Sequence, residues 1–413
     1  MKQVLLATTA LGLTTSIAMA GGIDRAQPNY GVLFESGNTV QFGFSSTAPS
    51  VKGEHPAATA TALNATRDSE NMANNESFYS FAIKTDLTDQ LSFGFFMGQP
   101  YGANVDYTQG IYSAANPAFT TVDINGDTIP DIAVSGSQNL SARWESIGYE
   151  AVLRYKFNER ISVHGGLRAV TSQAQISLPG QLVGAASGGA LGADYQANSS
   201  RETDFGYIIG AAYEIPDIAA RLAVTYRSEI EHEFDVDESA TNTTTVLATG
   251  AQAMNTLLSQ SSKTKIKMPQ SWTIDFQTGI AENTLLFGSA RWTEWTAWEV
   301  RTDGYEDATN GEITGFENDT WNYTLGLGRR INEKYSVFGT VGYEEAKGGD
   351  LNRLSPTDGS TSIGLGASYT FENDMVVRAG VQHAWLGGGE TSDGTEFEGS
   401  TATSFGMTLG FKF

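Results

Sequence analysis

The sequence predicts an all-β fold, a 14-stranded antiparallel transmembrane β-barrel. Three observations predict it: the alternation in the last strand, the character of the first twenty residues, and a regular succession of short turns and long loops. The final stretch, Thr401 to Phe413, reads TATSFGMTLGFKF. Phe405, Met407, Leu409, Phe411 and Phe413 alternate with Gly406, Thr408, Gly410 and Lys412. A period of two puts the bulky apolar set on one face of a strand and the small or polar set on the other. An apolar-out, polar-in strand at the end of the chain suits the closing strand of an outer-membrane barrel. The last strand of a soluble sandwich would read the same way, so this segment alone leaves both open.

The opening residues favour the membrane. Met1 and Lys2 are followed by an apolar, small-residue stretch from Val4 to Ile17 and by Ala18-Met19-Ala20. This is the pattern of a secretory signal peptide over residues 1–20, with a mature chain beginning near Gly21. Its apolar core is too short to span a bilayer. Export plus a barrel-closing strand predicts the bacterial outer membrane.

Composition narrows the classes further. The chain has no cysteine, which excludes a disulfide framework and thiolate metal sites. After the leader no stretch of 18 apolar residues occurs, so helical spans are excluded. Gly 46, Tyr 16, Phe 21 and Trp 7 accompany only 17% charged residues, as suits a barrel with crowded strands and aromatic interfaces. A net charge of −22 with 25 Lys+Arg argues against nucleic acid as a partner, because that needs a basic face.

The strand count comes from the turns. Short polar turns lie at Thr85–Gln90, Asn158–Arg160, Ile215–Asp217, Ala281–Asn283, Asn332–Lys334 and Glu372–Asp374, each with Asn, Asp or Pro turn chemistry between strand-like runs. Long polar segments fall near 47–77, 103–143, 173–203, 236–263, 299–318, 347–360 and 387–400. Six turns and seven loops make 13 connections and hence 14 strands, an even number with both chain ends on the short-turn, periplasmic side. Within the strands, charge assigns faces, since charges are costly against lipid and cheap in a lumen. On this basis Arg168, Arg227, Glu229 and Arg378 face inward. Ile161, Val163 and Leu167, opposite His164 and Arg168, face lipid.

At Thr225-Tyr226-Arg227-Ser228-Glu229 the chain resembles the FadL family of outer-membrane transporters of long-chain fatty acids and other hydrophobic compounds. The resemblance continues at Lys267-Met268-Pro269-Gln270-Ser271-Trp272, Trp292-Thr293-Glu294-Trp295, Gly180-Gln181-Leu182-Val183 and Pro100-Tyr101-Gly102. It covers the whole barrel, through order and spacing more than through any one motif. It implies a monomeric barrel plugged from within by an N-terminal hatch. Hydrophobic substrate would be captured among the outer loops, bound in an apolar lumenal pocket, and released sideways through a kink in the third strand. Two departures stand out. Only residues 21–36 precede the barrel (37–413), so the plug is shortened; an Asn116-Pro117-Ala118 exists, but in a loop. Leu178 also occupies the position where the family has an arginine facing the fatty acid carboxylate.

The candidate site residues follow. Gly98, Pro100 and Gly102 sit where the third strand should continue from Phe93–Phe96. Proline removes a ladder hydrogen bond and strand glycines mark bends, so they are candidates for a lateral gate; alternatively the strand ends at Met97. Arg168, Arg227 and Arg378 are candidates to hold an anionic headgroup bidentately. The alternative is an ion-pair network with Glu229, Glu231 and Glu344 that braces the lumen. Phe96 and Phe338 fall on inward registers and would line an apolar pocket. In the second long loop Asp123, Asn125, Asp127 and Asp131, with Gly126 at the turn, have oxygen-ligand spacing for a structural Ca²⁺; the alternative is an acidic solvated turn. No cofactor is expected otherwise. Ser162 and His164 share a strand face but lack an orienting third group, so no enzyme is expected. The expected function is passive transport of hydrophobic molecules, long-chain fatty acids first. A water-filled porin for polar solutes is the alternative class, and an adhesive barrel acting through its loops is a third. The expected partners are the transported molecule and outer-membrane lipid.

Overall fold

The seam of the barrel joins the two ends of the chain. The structure, a computed structural model, describes residues 22–62, 65–114, 120–122, 132–134, 138–180, 193–242 and 259–413. The predicted signal peptide lies outside them. Strand β1 (Thr39–Ser50) pairs with β14 (Thr401–Lys412) in unbroken antiparallel register from Thr39↔Lys412 to Ser50↔Thr401. Between them run β2 (Glu76–Asp86), β3 (Leu91–Gly98 and Gly102–Asp106), β4 (Ser141–Lys156), β5 (Ile161–Leu178) and β6 (Ala193–Ser199 and Glu202–Ile215). Then follow β7 (Ala220–Arg227 and Ile230–Asn242), β8 (Ser261–Met268 and Ser271–Ala281), β9 (Thr284–Thr293), β10 (Thr320–Arg330), β11 (Tyr335–Glu344), β12 (Ser360–Thr370) and β13 (Val376–Leu386). Each strand pairs with its neighbours in sequence, giving a closed 14-stranded antiparallel barrel, as expected. In β14, Phe405 and Met407 are exposed outward while Gly406, Thr408 and Gly410 are buried. The short turns use left-handed residues where predicted: Asn283 and Asp374 have φ of 58° and 59°, which Asn and Asp tolerate.

Strands β6, β7 and β8 share one irregularity. The inward residues Ser199 and Glu202, Arg227 and Ile230, and Met268 and Ser271 are separated by three positions rather than two. Each link adds one residue, as a β-bulge does, and flips the phase of everything above it. The links in β7 and β8 face each other across the ladder, between Arg227↔Ser271 and Ile230↔Met268. This corrects the expectation for Glu229 and Glu231. Both face outward, and Ile230, His232 and Phe234 take the inward positions. The uninterrupted period assumed from sequence carried Arg227's face one residue too far.

The flip marks the edge of the lipid. Above it the outer wall carries Glu231 and Glu233 paired with Lys265 and Lys263 at 2.8 and 3.0 Å. Just below it, Tyr226, Trp272, Trp292 and Trp321 lie side by side in register across β7 to β10. That is an aromatic girdle at the membrane interface. The strands therefore rise well beyond the bilayer, and the loops expected at 173–203 and 236–263 are shorter: β5 continues to Leu178, β6 starts at Ala193, and β7 and β8 span to Asn242 and from Ser261. Outside lipid both faces of a strand are polar, so apolar alternation no longer marks it.

The segment from Gly22 to Ser36 runs inside the lumen. A short 3₁₀ turn, Tyr30–Phe34, is capped by Asn29, whose side chain accepts from the Gly31 N–H. Tyr30, Val32 and Leu33 pack on Phe96, Val152 and Ile208 of the inner wall. Above them the β9–β10 loop folds inward. It places Trp295, Trp298, Val300 and Tyr305 (on a helix, Asp303–Thr309) against Tyr101, Trp144, Tyr195 and Phe234. The outer half of the lumen thereby holds a large apolar cluster.

The outward placement of Glu231 sets an expected result: Glu231→Ala leaves the urea midpoint for barrel unfolding unchanged, because an exposed pair contributes little. A clear loss of stability, read from the heat-modifiable gel band, would place Glu231 back in the lumen.

Candidate functional site: the lumen and its side opening

The third strand is broken, not ended. After Gly98 its ladder with β4 stops, and it resumes at Gly102↔Glu145. Pairing with β2 covers only Phe81↔Met97 to Asp86↔Ser92, so the upper part of β2 faces the break without a ladder partner in β3. Substitutes fill the missing bonds. The Tyr79 N–H donates to Gln99 Oε1 at 3.0 Å. On the lumenal side the N-terminal segment supplies backbone: Arg25 N–H donates to Pro100 O at 2.8 Å and Gly102 N–H to Ile23 O at 2.9 Å. Gln27 Nε2 also reaches Pro100 O, at 2.8 Å. Pro100 lies over Gly148 of β4, where any Cβ would come within 3.1 Å of its ring. Gly98, Pro100 and Gly102 thus sit together at one gap.

A cavity of about 280 Å³ opens beside this gap. One wall is formed by Tyr30, Phe96, Met97 and Gly98, the other by hydroxyl and amide side chains such as Ser289, Thr324, Thr340, Ser362 and Thr408. Phe78 to Ala82 of β2, the stretch that faces the break, also line it, so the cavity reaches the gap. Phe96 is fully buried against the Tyr30 ring, 5.4 Å edge-on. Phe338 faces inward across Gly366, apart from this cavity.

The three candidate arginines do not converge. Arg168 and Arg227 share Glu150: Arg227 donates to both Glu150 and Gln27, and Arg168 Nε lies 3.9 Å from the same carboxylate. Tyr30 donates to the other oxygen of Glu150 at 2.5 Å. Arg168 also donates to Ser228 O at 3.2 Å and to the Tyr101 hydroxyl at 3.3 Å. The pair is thus built into an ion-pair network, although its acid is Glu150 and not Glu229, Glu231 or Glu344. Arg378 lies elsewhere, in a cavity at the periplasmic end. Glu150 was readable from sequence by the strict alternation of β4, in which Trp144, Ser146, Glu150, Val152 and Arg154 are all buried.

Above the charges lies a narrow apolar slot lined by Ile23, Ala142, Trp144, Ile176, Trp298 and Phe316. Trp144 and Trp298 meet edge-on at 6.0 Å, and the indole N–H of each is buried without a partner among the described residues. Leu178 belongs to the same apolar cluster. Ser162 and His164 face the lumen but bond to Arg154 at 3.0 Å and Thr225 at 2.9 Å respectively. Asp123, Asn125, Asp127 and Asp131 lie outside the described residues.

The outer loops are tied at one hub. Asp393 accepts from Tyr112 and from Arg353 Nε at 3.1 Å, and Tyr107 donates to Arg353 O at 2.7 Å. His55, fully buried, bonds through Nδ1 to Thr395 at 2.9 Å. Gly110 (φ 84°) lies so close that a Cβ there would fall 2.2 Å from His55 Nε2. Burial would raise the Asp393 carboxyl, but Arg353 and hydrogen bonds from Thr391 and Tyr112 outweigh it and hold it at about 2. Burial lowers the His55 imidazole to about 4, against the pull of Asp393 and Asp68.

A closed lipid-girdled barrel with an apolar inner shaft and a lumenal segment defines an outer-membrane channel. Residues 126–405 match the model of the family described as outer membrane protein transport protein (OMPP1/FadL/TodX), and the chain belongs to that family. It is a bacterial outer-membrane protein, and the family is one of hydrophobic-compound channels. Among solved structures it is similar to a Pseudomonas aeruginosa FadL homologue, with a TM-score of 0.70 at 14% identity over 93% of this chain and 92% of that one. It is similar too to the Pseudomonas putida toluene transporter TodX, with a TM-score of 0.61 at 13% identity over 96% and 97%. The CymD monoaromatic hydrocarbon channel gives a TM-score of 0.56 at 13% identity over 92% and 90%. No curated protein sequence matches it significantly.

Two outcomes are expected. Glu150→Gln leaves two buried guanidiniums without their counter-charge and destabilises the barrel by about 3–5 kcal/mol, measured by denaturant titration. For the hub, His55 is neutral when folded down to about pH 4 but takes a proton near 6.5 when freed. Its contribution is complete above pH 6.5 and is lost as pH falls toward 4. Limited proteolysis of the outer loops should therefore accelerate across that window, and His55→Asn should flatten the response.

Proposed function

We propose that the protein passes hydrophobic molecules, long-chain fatty acids foremost, from the outer loops through the apolar slot and sideways into the membrane at the β3 break. The observation that carries this reading is the cavity that begins at Tyr30 and Phe96 and reaches the break in the wall at Gly98. A hydrophobic solute gains nothing from entering an aqueous periplasm, whereas a side exit keeps it out of water throughout. Movement is passive, down a gradient through binding sites. Residues Gly22 to Ser36, which bond to both edges of the break, act as the shortened plug. The neutral aromatic cargo in the names of TodX and CymD is the natural competitor, because Leu178 offers no charge to a carboxylate and the Trp144–Trp298 slot suits a flat ring. A polar-solute porin is the second reading. It is favoured by the hydroxyl-lined wall of the same cavity, from Ser289 to Thr408.

Displacement of a fluorescent lipid probe from the refolded barrel separates these readings. Oleate is expected to displace saturably, toluene to compete, and glucose to have no effect; glucose competition with open conductance in planar bilayers would establish the porin. The exit is tested by Gly98→Trp, where a Cβ has 3.4 Å of clearance to Ala26 O and the indole would fill the opening. Oleate uptake into cells should fall at least about tenfold, roughly 1.4 kcal/mol in apparent barrier, with the folded band retained. Unchanged uptake would remove the side exit.

A further inference from the structure

The periplasmic end of the lumen holds a second cavity, of about 640 Å³, beneath the lumenal segment. Two of its lining side chains are unusual. Arg221 and Arg378 are 5% and 3% exposed, yet neither makes an ion pair or a hydrogen bond with any described residue, and the Nε of each is buried without a partner. The neighbouring Arg154 shows what a satisfied arginine looks like here. It pairs with Glu214 and donates to Ser162 Oγ at 3.0 Å and Leu33 O at 3.2 Å. Arg221 is instead held in place by stacking: the Phe34 ring lies between Arg154 and Arg221, 4.2 and 4.3 Å from their guanidinium carbons. Glu35, the buried acid on the cavity wall, acts electrostatically on both arginines but accepts its hydrogen bond from Gln41 Nε2, at 2.9 Å; Glu214 and Asp275 act on Arg221 at a distance, Glu214 being paired with Arg154, and Asp89, Glu159 and Asp374 are exposed at the rim. Buried cations without partners are strongly unfavourable unless something supplies the counter-charge. Guanidinium is the group suited to bind carboxylate or phosphate in two-pronged fashion. Beside the two arginines the cavity offers apolar surface from Phe34, Ala219 and Val376.

We propose that this cavity is an oxyanion site. Arg221 and Arg378 hold a carboxylate or phosphate group, and the apolar patch receives a short tail when the anion carries one. The site is separate from the Glu150 network and does not depend on which molecule uses the side exit.

The test is calorimetry on the folded mature barrel in an uncharged detergent, with hexanoate, hexanol and inorganic phosphate. Hexanoate is expected to bind saturably at one site, and hexanol not at all. Competition by phosphate would assign recognition to the oxyanion alone; binding of hexanoate without competition by phosphate would assign a share to the tail. Arg378→Gln should weaken hexanoate at least tenfold. Because that variant alters a buried side chain, Gly410→Asp provides a second one. A Cβ there lies 3.8 Å from Arg378 Nη1, so the new carboxylate occupies the site from within and should abolish binding while supplying the missing charge. Silence from both anions, equal binding of hexanol, or hexanoate binding unchanged in both variants would each overturn the proposal.

Discussion

Hydrocarbon offers no hydrogen bonds, so a backbone group left open in the wall of this barrel must find a partner within the protein. Most of the structure follows from that constraint. It closes β1 onto β14 along twelve paired positions and leaves no free edge. It also explains the substitute partners found at the break in β3. At the β3 break the Gln99 side chain caps β2 from the strand itself, while Ile23 and Arg25 complete the ladder from inside. Main chain is thus completed by main chain from another part of the molecule, and the lumenal segment is as much a part of the wall as a filling of the lumen.

Charge is arranged by the same logic at greater depth. Glu150 faces two guanidiniums and a phenol, so its removal would strand more than it releases. The network ties β4, β5 and β7 to the lumenal segment through Tyr30 and Gln27. The apolar floor above it and the cavity below it therefore remain distinct compartments, each with its own chemistry.

Where the physics is periodic, the fold was legible in the sequence. Lipid on one side and a polar lumen on the other impose a two-residue rhythm, and from it the strand number, the turns and the inward placement of Arg168, Arg227 and Arg378 could all be read. Legibility ended where the rhythm did. The added residue at Ser228-Glu229 leaves no compositional trace, so alternation alone puts Glu229 on the wrong face. The strand ends above the girdle contact water on the outside, and Asp235, Asp237 and Lys263 there resemble a loop. Bringing Arg227 to Glu150, or Tyr112 to Asp393, requires knowing which strands and loops meet across the lumen, and spacing along one strand carries no such information. The β3 break was different: Gly98, Pro100 and Gly102 are costly in a ladder, and that cost is visible locally.

The enclosure of the lumenal segment constrains the order of assembly. Gly22 to Ser36 precede β1 in the chain but are surrounded by groups from β3, β4, β5, β7 and β9, with the Trp295 indole against Gly22. The seam that shuts this chamber joins residues more than 350 positions apart, such as Thr47 and Ser404. Contacts between such distant partners carry a high loop-closure entropy and form late. The segment can therefore be seated while the sheet is still an open, curling ribbon. Once the ends zip together, the way in that remains is the periplasmic mouth beneath it.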